Sequence, residues 1–338
     1  MRHYCTYFDS GYLPRGLALY ESLRLHAGSF TLWILCLDEP SLDLLRRLDV
    51  PAVRLIPLRD LEECYPELLS RKAERSRVEY YFTLTPFLPA YVLGQGPDSP
   101  NEVTYLDADL YFYSSPEPLF DELGAGSVSI IPHRPPDHLE SKLRPFGLYN
   151  VGWLTFRATA NGTACLEWWQ ERCLEWCHDR AEDGRFADQA YLDHFPALFD
   201  GVVILRHPGA NLAPWNVGRH SLATSLGQIS VDGSPLVFFH FHGVSRIWGT
   251  LFDCNLKRYQ ARLSTTLKRE IYGPYLSRLI AIESTYGAPS GNATRGRSGK
   301  RNPILREFSR GVRALVTCCH GSLIHPDMPS KRTHDNSH

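Results

Sequence analysis

The chain has 338 residues, of which 43% are hydrophobic and 12% aromatic, and this is enough to bury a sizeable core. A formal net charge of −1 at pH 7 excludes the strongly basic surface by which proteins attract nucleic acid, so an anionic ligand would have to be held by local chemistry. The nine cysteines follow neither a zinc-ligand nor a disulfide spacing, and we predict reduced, partly buried thiols in a cytoplasmic protein.

Short apolar segments alternate with helical ones along the first part of the chain. Strands are predicted at 4–9, 30–38, 52–58 and 103–112. Helices are predicted at 16–26, at 40–49 and, with interruptions at Pro66 and Pro86, at 60–93. This alternation, with strands that are apolar throughout, is typical of a parallel α/β sheet covered by helices on both faces.

The rest of the chain predicts further strands at 127–133, 151–157 and 236–243. One amphipathic helix is expected at 162–184, closed by Gly184, with its tryptophans in the core. We expect one domain over 1–285, a flexible basic linker at 286–303, an amphipathic basic segment at 304–325 and a disordered tail at 326–338. The stretch 304–318 suits either a peripheral contact with the inner face of a membrane or a solvated tail.

Acidic residues stand where predicted strands end, and two of them are close together in "YLDADLYF". On an extended strand Asp107 and Asp109 would point to the same side, at the sheet edge where parallel α/β proteins bind ligands. Two carboxylates at one point repel each other, and a divalent metal ion would resolve that repulsion. Taken alone, the pair is equally consistent with two solvated acids.

A second polar cluster follows the strand predicted at 236–243, in "FFHFHGVSRIWG". His240 and His242 close this strand, and Gly243 and Arg246 come next. One histidine added to two carboxylates gives a mixed nitrogen and oxygen site that favours Mn²⁺ among the hard ions, with Mg²⁺ as the alternative. An arginine just beyond a glycine can bend towards a phosphate. Either histidine alone would be better explained as a packed side chain, but the combination favours a metal and phosphate site.

Together these motifs resemble the GT-A glycosyltransferases, most closely glycosyltransferase family 8 and its bacterial surface-polysaccharide relatives. In that family a D-x-D and a later H-x-x-G-x-x-K-x-W bind the metal and the diphosphate of a sugar nucleotide, and the spacing is kept here with Arg246 in place of the lysine. The resemblance implies that Asp107, Asp109 and His240 are metal ligands and that Asp107, Gly243 and Arg246 contact the diphosphate. It also implies a GT-A (Rossmann-like) fold with a mixed, mostly parallel central sheet flanked by helices, here with a short C-terminal helical extension.

The N-terminal segment "YFDSGYLPRGLALYESL" is similar to the opening of the same family. The resemblance implies that Asp9 contacts the nucleotide base and that Tyr12 stacks on it. A tyrosine that follows a glycine in a strand-to-helix loop suits such stacking, although an ordinary loop aromatic fits the pattern equally well.

Two further dipeptides fall in the order that the family requires. Asn150 in "LYNVGW" and Asp188 with Gln189 in "ADQAY" are implied to line the sugar and the reacting face as the catalytic group. If the reaction uses a nucleophile on the far face of the sugar, Asp188 is the candidate carboxylate.

The loop "HPGANLAPWN" supplies candidates for the acceptor side. Trp215 could stack on a sugar face and Asn216 could bind hydroxyls, with His242 nearby, but Trp215 could equally pack the loop onto the core.

One departure from the family pattern concerns the cation that the family has upstream of the D-x-D. Here Thr83, Thr85 and Pro86 occupy that stretch, so Arg75 or Arg77 would have to replace it.

The resemblance implies metal-dependent transfer of a sugar from a nucleotide-diphosphate sugar, most simply a UDP-sugar, to a glycan or lipid-linked glycan acceptor. It further implies retention at the anomeric carbon and a place in bacterial surface-polysaccharide synthesis. Two alternatives stay open, a sugar-nucleotide-binding pseudoenzyme and a phosphatase of the haloacid-dehalogenase type. The phosphatase class needs its D-x-D on the first strand, whereas the pair here lies on a later one.

Overall fold

The computed structural model describes residues 1–96, 99–287 and 323–326. Apart from residues 286–287 and 323–326, the predicted linker at 286–303, the amphipathic segment at 304–325 with its helical extension, and the tail at 326–338 lie outside the described residues. Leu323–Ile324, near the end of the predicted amphipathic segment, form a short strand.

The described residues form the following elements. The strands are β1 Arg2–Phe8, β2 Phe30–Cys36, β3 Val53–Pro57, β4 Glu102–Leu106, β5 Leu110–Phe112, β6 Val128–Pro132, β7 Tyr149–Arg157, β8 Val202–Ile204, β9 Leu222–Ser225, β10 Gln228–Val231, β11 Ser234–Pro235, β12 Phe238–His240, β13 Ser245–Trp248, β14 Leu251–Asp253 and β15 Leu323–Ile324. The α-helices are α1 Leu13–His26, α2 Glu39–Leu48, α3 Leu58–Cys64, α4 Glu67–Glu74, α5 Arg77–Leu84, α6 Phe87–Leu93, α7 Glu117–Leu123, α8 Asp137–Leu143, α9 Ala160–Glu175, α10 Phe195–Leu198 and α11 Gly273–Tyr286. Among the described residues, no helix is both long enough and apolar enough to cross a bilayer.

A central sheet of seven strands has the order β3-β2-β1-β4-β7-β6-β8. Four of its six neighbouring pairs are parallel, and the two pairs that β7 makes are antiparallel. Helices connect the parallel strands and cover the sheet, so the predicted mixed, mostly parallel α/β architecture is confirmed.

The two faces of the sheet bury separate cores, because successive side chains of a strand point to opposite sides. On one face Tyr4 and Trp153 pack beneath α1 and α11, and Trp153 stacks on Phe238 of β12 with ring centroids 5.7 Å apart. On the other face Tyr105 of β4 packs beneath α6 and α9, and Trp169 of α9 belongs to the same core. The first core therefore joins the central sheet to the small sheet of β5 and β12.

Helix α9 is shorter than the sequence predicts. It begins at the Thr159 cap and ends at Glu175, because Trp176 turns to an extended backbone (φ −151°, ψ 123°) and buries its ring. Gly184, with φ +74°, lies instead in a turn between Glu182 and Arg185. The expectation that the tryptophans of this region lie in the core is confirmed for Trp169 and Trp176, which are 0% and 7% exposed.

The predicted interruptions between residues 60 and 93 are confirmed, since Pro66 and Pro86 stand immediately before α4 and α6. A further break at Ser76 was missed. There Ser76 and Glu79 cap each other's backbone N–H groups at the start of α5, a reciprocal capping box whose S-x-x-E spacing is visible in the sequence.

Close packing of α1 on β1 generates a test. A Cβ added at Gly16 would lie 2.2 Å from Cε1 of Phe8, whose ring is buried. We expect Gly16→Ala to lower the free energy of unfolding by about 1–3 kcal/mol, although alanine favours helices. Urea denaturation followed by circular dichroism measures this.

Gly218→Ala is the matched control for that substitution. A Cβ at Gly218 meets nothing within 4 Å, and the backbone there lies outside the left-handed region. We expect its stability to stay within about 0.5 kcal/mol of the unchanged protein. Equal stability of the two variants would contradict the close approach of α1 to Phe8.

Candidate functional site

The strands predicted at 103–112 and 236–243 are shorter than expected. The first is divided into β4 and β5, and β5 lies beside β12, the shortened second strand. A turn carrying both acids separates β4 from β5, and in it the Leu110 N–H donates to the Asp107 carbonyl (3.2 Å). Strand β12 pairs antiparallel with β5 and sets His240 opposite Leu110, while the Phe241 N–H donates to the Asp109 carbonyl (2.9 Å). This pairing holds an imidazole beside the two acids.

The three predicted metal ligands do converge. Nε2 of His240 lies 3.0 Å from Oδ1 of Asp109 and 3.5 Å from Oδ2 of Asp107. One ligand atom from each residue falls within 4.8 Å of the other two. Two carboxylates and one imidazole form a donor set that fits a divalent cation such as Mn²⁺ or Mg²⁺.

Burial and mutual repulsion shape the charges of this cluster. Burial raises the pKa of Asp107, and the neighbouring Asp109 adds to the effect against the attraction of His240. Burial also acts to raise the pKa of Asp109, but the charge and hydrogen bond of His240 hold it well below its usual range. Burial opposes protonation of His240, yet the two carboxylates raise its pKa. A proton on the imidazole thus stabilises the cluster in the way that a metal ion would.

Asn150 is buried against the Nδ1 side of the His240 ring and is not exposed to solvent. It is 5% exposed, and its Oδ1 accepts hydrogen bonds from Nδ1 of His240 (3.1 Å) and from the Gly152 N–H (3.1 Å). Its Nδ2 donates to Oε1 of Gln189 (3.1 Å), whose own Nε2 donates to the Phe146 carbonyl (2.8 Å). Asn150 therefore accepts the Nδ1 proton of His240 and directs Nε2 towards the two carboxylates, where a metal would bind, a positioning role that the sequence did not indicate.

Hydroxyl groups of neighbouring side chains bind to Asp107 and Asp188. The Tyr105 hydroxyl donates to Oδ1 of Asp107 (2.9 Å), and the Tyr7 hydroxyl lies 3.1 Å from Oγ1 of Thr85. Thr85 in turn hydrogen-bonds Asp188, which is 4% exposed. Burial, reinforced by the charge of Asp107, raises the pKa of Asp188 to about 7 despite the bond from Thr85. Asp188 thus lies close enough to Asp107 for their charges to interact, and its hydrogen-bond partner Thr85 is neutral.

The predicted base-binding residues lie together at the start of α1. The Tyr12 N–H donates to Oδ1 of Asp9 (3.1 Å), and Oδ2 of Asp9 accepts from Arg77 (2.7 Å). The Tyr12 ring is 38% exposed, with the Arg15 guanidinium 4.6 Å from its centroid. An exposed aromatic ring beside a carboxylate is suited to stack on a nucleotide base and bind its polar edge.

Of the two arginines considered as replacements for the missing upstream cation, one is structural. Arg75 is 9% exposed and donates to Thr83 and, at 2.7 Å, to the Leu174 carbonyl, so it ties α5 to α9. Arg77 is exposed and forms an ion pair with Asp9, one of the two predicted base-binding residues.

The segment after His240 also departs from expectation. Gly243 has φ +73°, and a Cβ there would lie 2.2 Å from Asn255, so this sharp bend requires glycine. Arg246 does not point freely towards the metal ligands. Its guanidinium forms an ion pair with Glu283 of α11 and donates to the Gly249 carbonyl (3.0 Å).

The predicted acceptor-side residues are mostly closed off, which corrects that interpretation. Trp215 is 3% exposed, and its Nε1–H donates to the His133 carbonyl (3.0 Å). Asn216 is fully buried, and its Nδ2 donates to the carbonyls of His133 and Asn211. These hydrogen bonds occupy the polar groups of both side chains and hold the loop onto the core. Of the three, only His242 is half-buried, with its ring 5.5 Å from that of Trp215.

The fold and the strand-end cluster define a protein with the GT-A glycosyltransferase fold. The crystal structure of the galactosyltransferase LgtC in complex with donor and acceptor sugar analogues is similar over 79% of this chain and 99% of LgtC, with a TM-score of 0.50 at 14% identity. No protein-family model matches the chain.

Two relatives from Bacillus subtilis (strain 168) are similar in sequence. The uncharacterized protein YfnF is 38% identical over 248 residues, which cover 71% of this chain and 80% of YfnF. The uncharacterized protein YfnD is 28% identical over 279 residues, covering 82% of this chain and 88% of YfnD. The chain belongs to the family of YfnF.

The contact between Asn150 and His240 predicts an effect on metal binding. Asn150→Ala removes the acceptor for Nδ1–H, and we expect the affinity for Mn²⁺ to fall about 10- to 100-fold. Asn150→Asp keeps an acceptor at that position and is expected to retain most of the affinity. Electron paramagnetic resonance of free Mn²⁺ measures both, and unchanged affinity in Asn150→Ala would refute the positioning role.

The raised pKa of Asp188 predicts a pH dependence of stability. Between about pH 4 and pH 7 the unfolded chain releases the Asp188 proton while the folded protein keeps it, so stability falls as pH rises through this window and levels off above it. The loss attributable to Asp188 amounts to at most about 4 kcal/mol.

Asp188→Asn, which cannot ionise, should lack this loss. Urea unfolding in EDTA at pH 5 and pH 7.5 compares the two proteins. A difference in unfolding free energy that does not change with pH would contradict the raised pKa.

Proposed function

We propose that the protein transfers a sugar from a nucleotide-diphosphate sugar, most simply a UDP-sugar, to a glycan or lipid-linked glycan acceptor. The observation that carries the proposal is the convergence of Asp107, Asp109 and His240 at the strand ends of a GT-A fold. A place in bacterial surface-polysaccharide synthesis and peripheral contact with the inner face of the membrane are part of the same proposal.

Each group has a role that follows from its surroundings. Asp107, Asp109 and His240 hold a divalent cation, Mn²⁺ or Mg²⁺, which when bound neutralises the negative charge that develops on the departing nucleoside diphosphate. Asp9 and Tyr12 bind the base, since they present a carboxylate and an exposed ring at the adjacent strand end.

Asp188 is the candidate for the far face of the sugar in a reaction with retention. Because its pKa is raised to about 7, both its protonated and its ionised forms are populated near neutral pH. The ionised form suits a nucleophile or the stabilisation of positive charge at the anomeric carbon. Gln189, half-buried beside Asn150, is the neighbouring amide for the sugar hydroxyls.

A sugar-nucleotide-binding protein without transferase activity is the second candidate. This candidate is favoured because two arginines predicted to contact the diphosphate have other partners. Arg75 is buried in a structural role, and Arg246 is paired with Glu283. The phosphatase of the haloacid-dehalogenase type is disfavoured, since the acidic pair follows β4 rather than the first strand.

The experiment combines the purified protein with Mn²⁺ and a panel of UDP-, GDP- and dTDP-sugars, and measures nucleotide binding and release. We expect one nucleotide class to bind in a metal-dependent way and to be released on turnover. Binding without turnover for any acceptor would select the non-enzymatic candidate. Phosphate release without sugar-nucleotide binding would exclude both.

The metal cluster makes a specific prediction for this assay. Asp107→Ala and Asp109→Ala each remove one anionic ligand, and we expect metal-dependent nucleotide binding to be lost. Asp43→Ala, on the exposed face of α2, is the control and should bind normally. Unchanged Mn²⁺-dependent affinity in both cluster variants would refute the site.

A further inference from the structure

Arg15 lies where the predicted base site and the metal cluster come together. Its guanidinium sits 4.6 Å from the ring centroid of Tyr12, and its Nη2 donates to the Val244 carbonyl (2.9 Å), in the segment that follows His240. It also interacts electrostatically with Asp109. One half-buried side chain therefore connects the exposed aromatic ring to the metal ligands.

Among the described residues, Arg15 lacks the direct carboxylate partner that Arg77 and Arg246 have. Within the described part of the chain no carboxylate lies within ion-pair distance of its guanidinium, whereas Arg77 and Arg246 are paired with Asp9 and Glu283. Burial opposes its charge, although Tyr12, Tyr275, Asp109 and Glu283 together raise the pKa of Arg15. A half-buried cation with a single hydrogen bond can still donate to an anionic ligand.

The position of Arg15 along α1 also favours a bound anion. Arg15 lies in the first turn of α1, and that turn contains no acidic residue. The positive end of the helix dipole disfavours a cation there, and both the dipole and the arginine favour a bound anion.

A second side chain at this place has an unused polar group. Tyr275 of α11 is fully buried, its ring stacks on Phe241 at 3.6 Å, and among the described residues its hydroxyl has no hydrogen-bond partner. The phenol interacts electrostatically with Arg15, Asp109 and Tyr12. A buried hydroxyl without a partner is costly to keep, and an oxygen-rich ligand would supply one.

We infer that Arg15, assisted by the Tyr275 hydroxyl, binds the phosphate of the nucleoside diphosphate that lies nearest the ribose. In such a ligand the phosphate nearest the ribose lies between the base and the outer phosphate, and Arg15 interacts in the same way with both Tyr12 and Asp109. The inference rests on the proposed function and assigns to Arg15 the cationic role that the sequence placed on Arg246 or upstream of the acidic pair.

The test measures affinity by calorimetry in Mn²⁺ for UDP, GDP and dTDP, and for the nucleoside of whichever diphosphate binds. We expect Arg15→Met to weaken diphosphate binding about 10- to 100-fold and to leave nucleoside binding within about twofold. Arg15→Lys should retain part of the affinity, because it keeps the charge without the fork of donors. Arg24→Met, on the same helix and exposed, is the matched control.

Tyr275→Phe separates ligand binding from folding. Removing an unpartnered buried hydroxyl should leave thermal stability equal or higher, while diphosphate affinity falls a few-fold. Equal losses of nucleoside and diphosphate affinity in Arg15→Met, or unchanged diphosphate affinity in both Arg15→Met and Tyr275→Phe, would overturn the assignment. If the unchanged protein binds none of the three diphosphates, the proposed function itself fails and the assignment with it.

Discussion

The candidate site depends on one antiparallel pairing between two short strands, β5 and β12. This pairing brings His240 from late in the chain to the turn that holds Asp107 and Asp109, and the stacking of Trp153 on Phe238 fixes the small sheet against the large one. A buried and a half-buried carboxylate side by side repel each other, so the arrangement needs a positive partner in every state. A protonated imidazole or a metal ion provides it.

Antiparallel β7 supplies the support for that pairing. It lies beside β4, so that the Gly152 carbonyl accepts the Asp107 N–H (3.2 Å) and Asn150 reaches Nδ1 of His240. A side chain at Gly152 would lie within 3 Å of both Asn150 and His240, so the absence of a Cβ is what lets this contact form. The N-x-G pattern thus encodes both the hydrogen bond to the imidazole and the space it requires.

The sequence could predict those parts of the site that depend on local pattern. Apolar runs followed by polar residues mark strand ends, which is why Asp107, Asp109 and His240 could be predicted to lie together. Spacing alone could not distinguish an exposed indole from a buried one, and Trp215 proved to hold a loop onto the core. It also could not show that Asn150 faces His240, because that contact joins residues ninety positions apart.

Positive charge was the hardest feature to assign from the sequence, because an arginine's role depends on which carboxylate reaches it first. Arg246 has the spacing of a phosphate ligand, but α11 places Glu283 beside it. Arg77 is similarly paired with Asp9. Exchanging such a carboxylate for a phosphate gains little, since one ion pair replaces another.

Arg15 has no ion-pair partner among the described residues, so a bound phosphate would add an interaction to it rather than replace one. The sequence indication was its place in the first turn of α1, where there is no acidic residue and the helix dipole opposes a cation. A bound anion would offset the opposing helix dipole and give the guanidinium of Arg15 a direct partner. A cation would stabilise the two carboxylates, and an anion would bind the guanidinium of Arg15. A diphosphate with a bound metal ion supplies both charges.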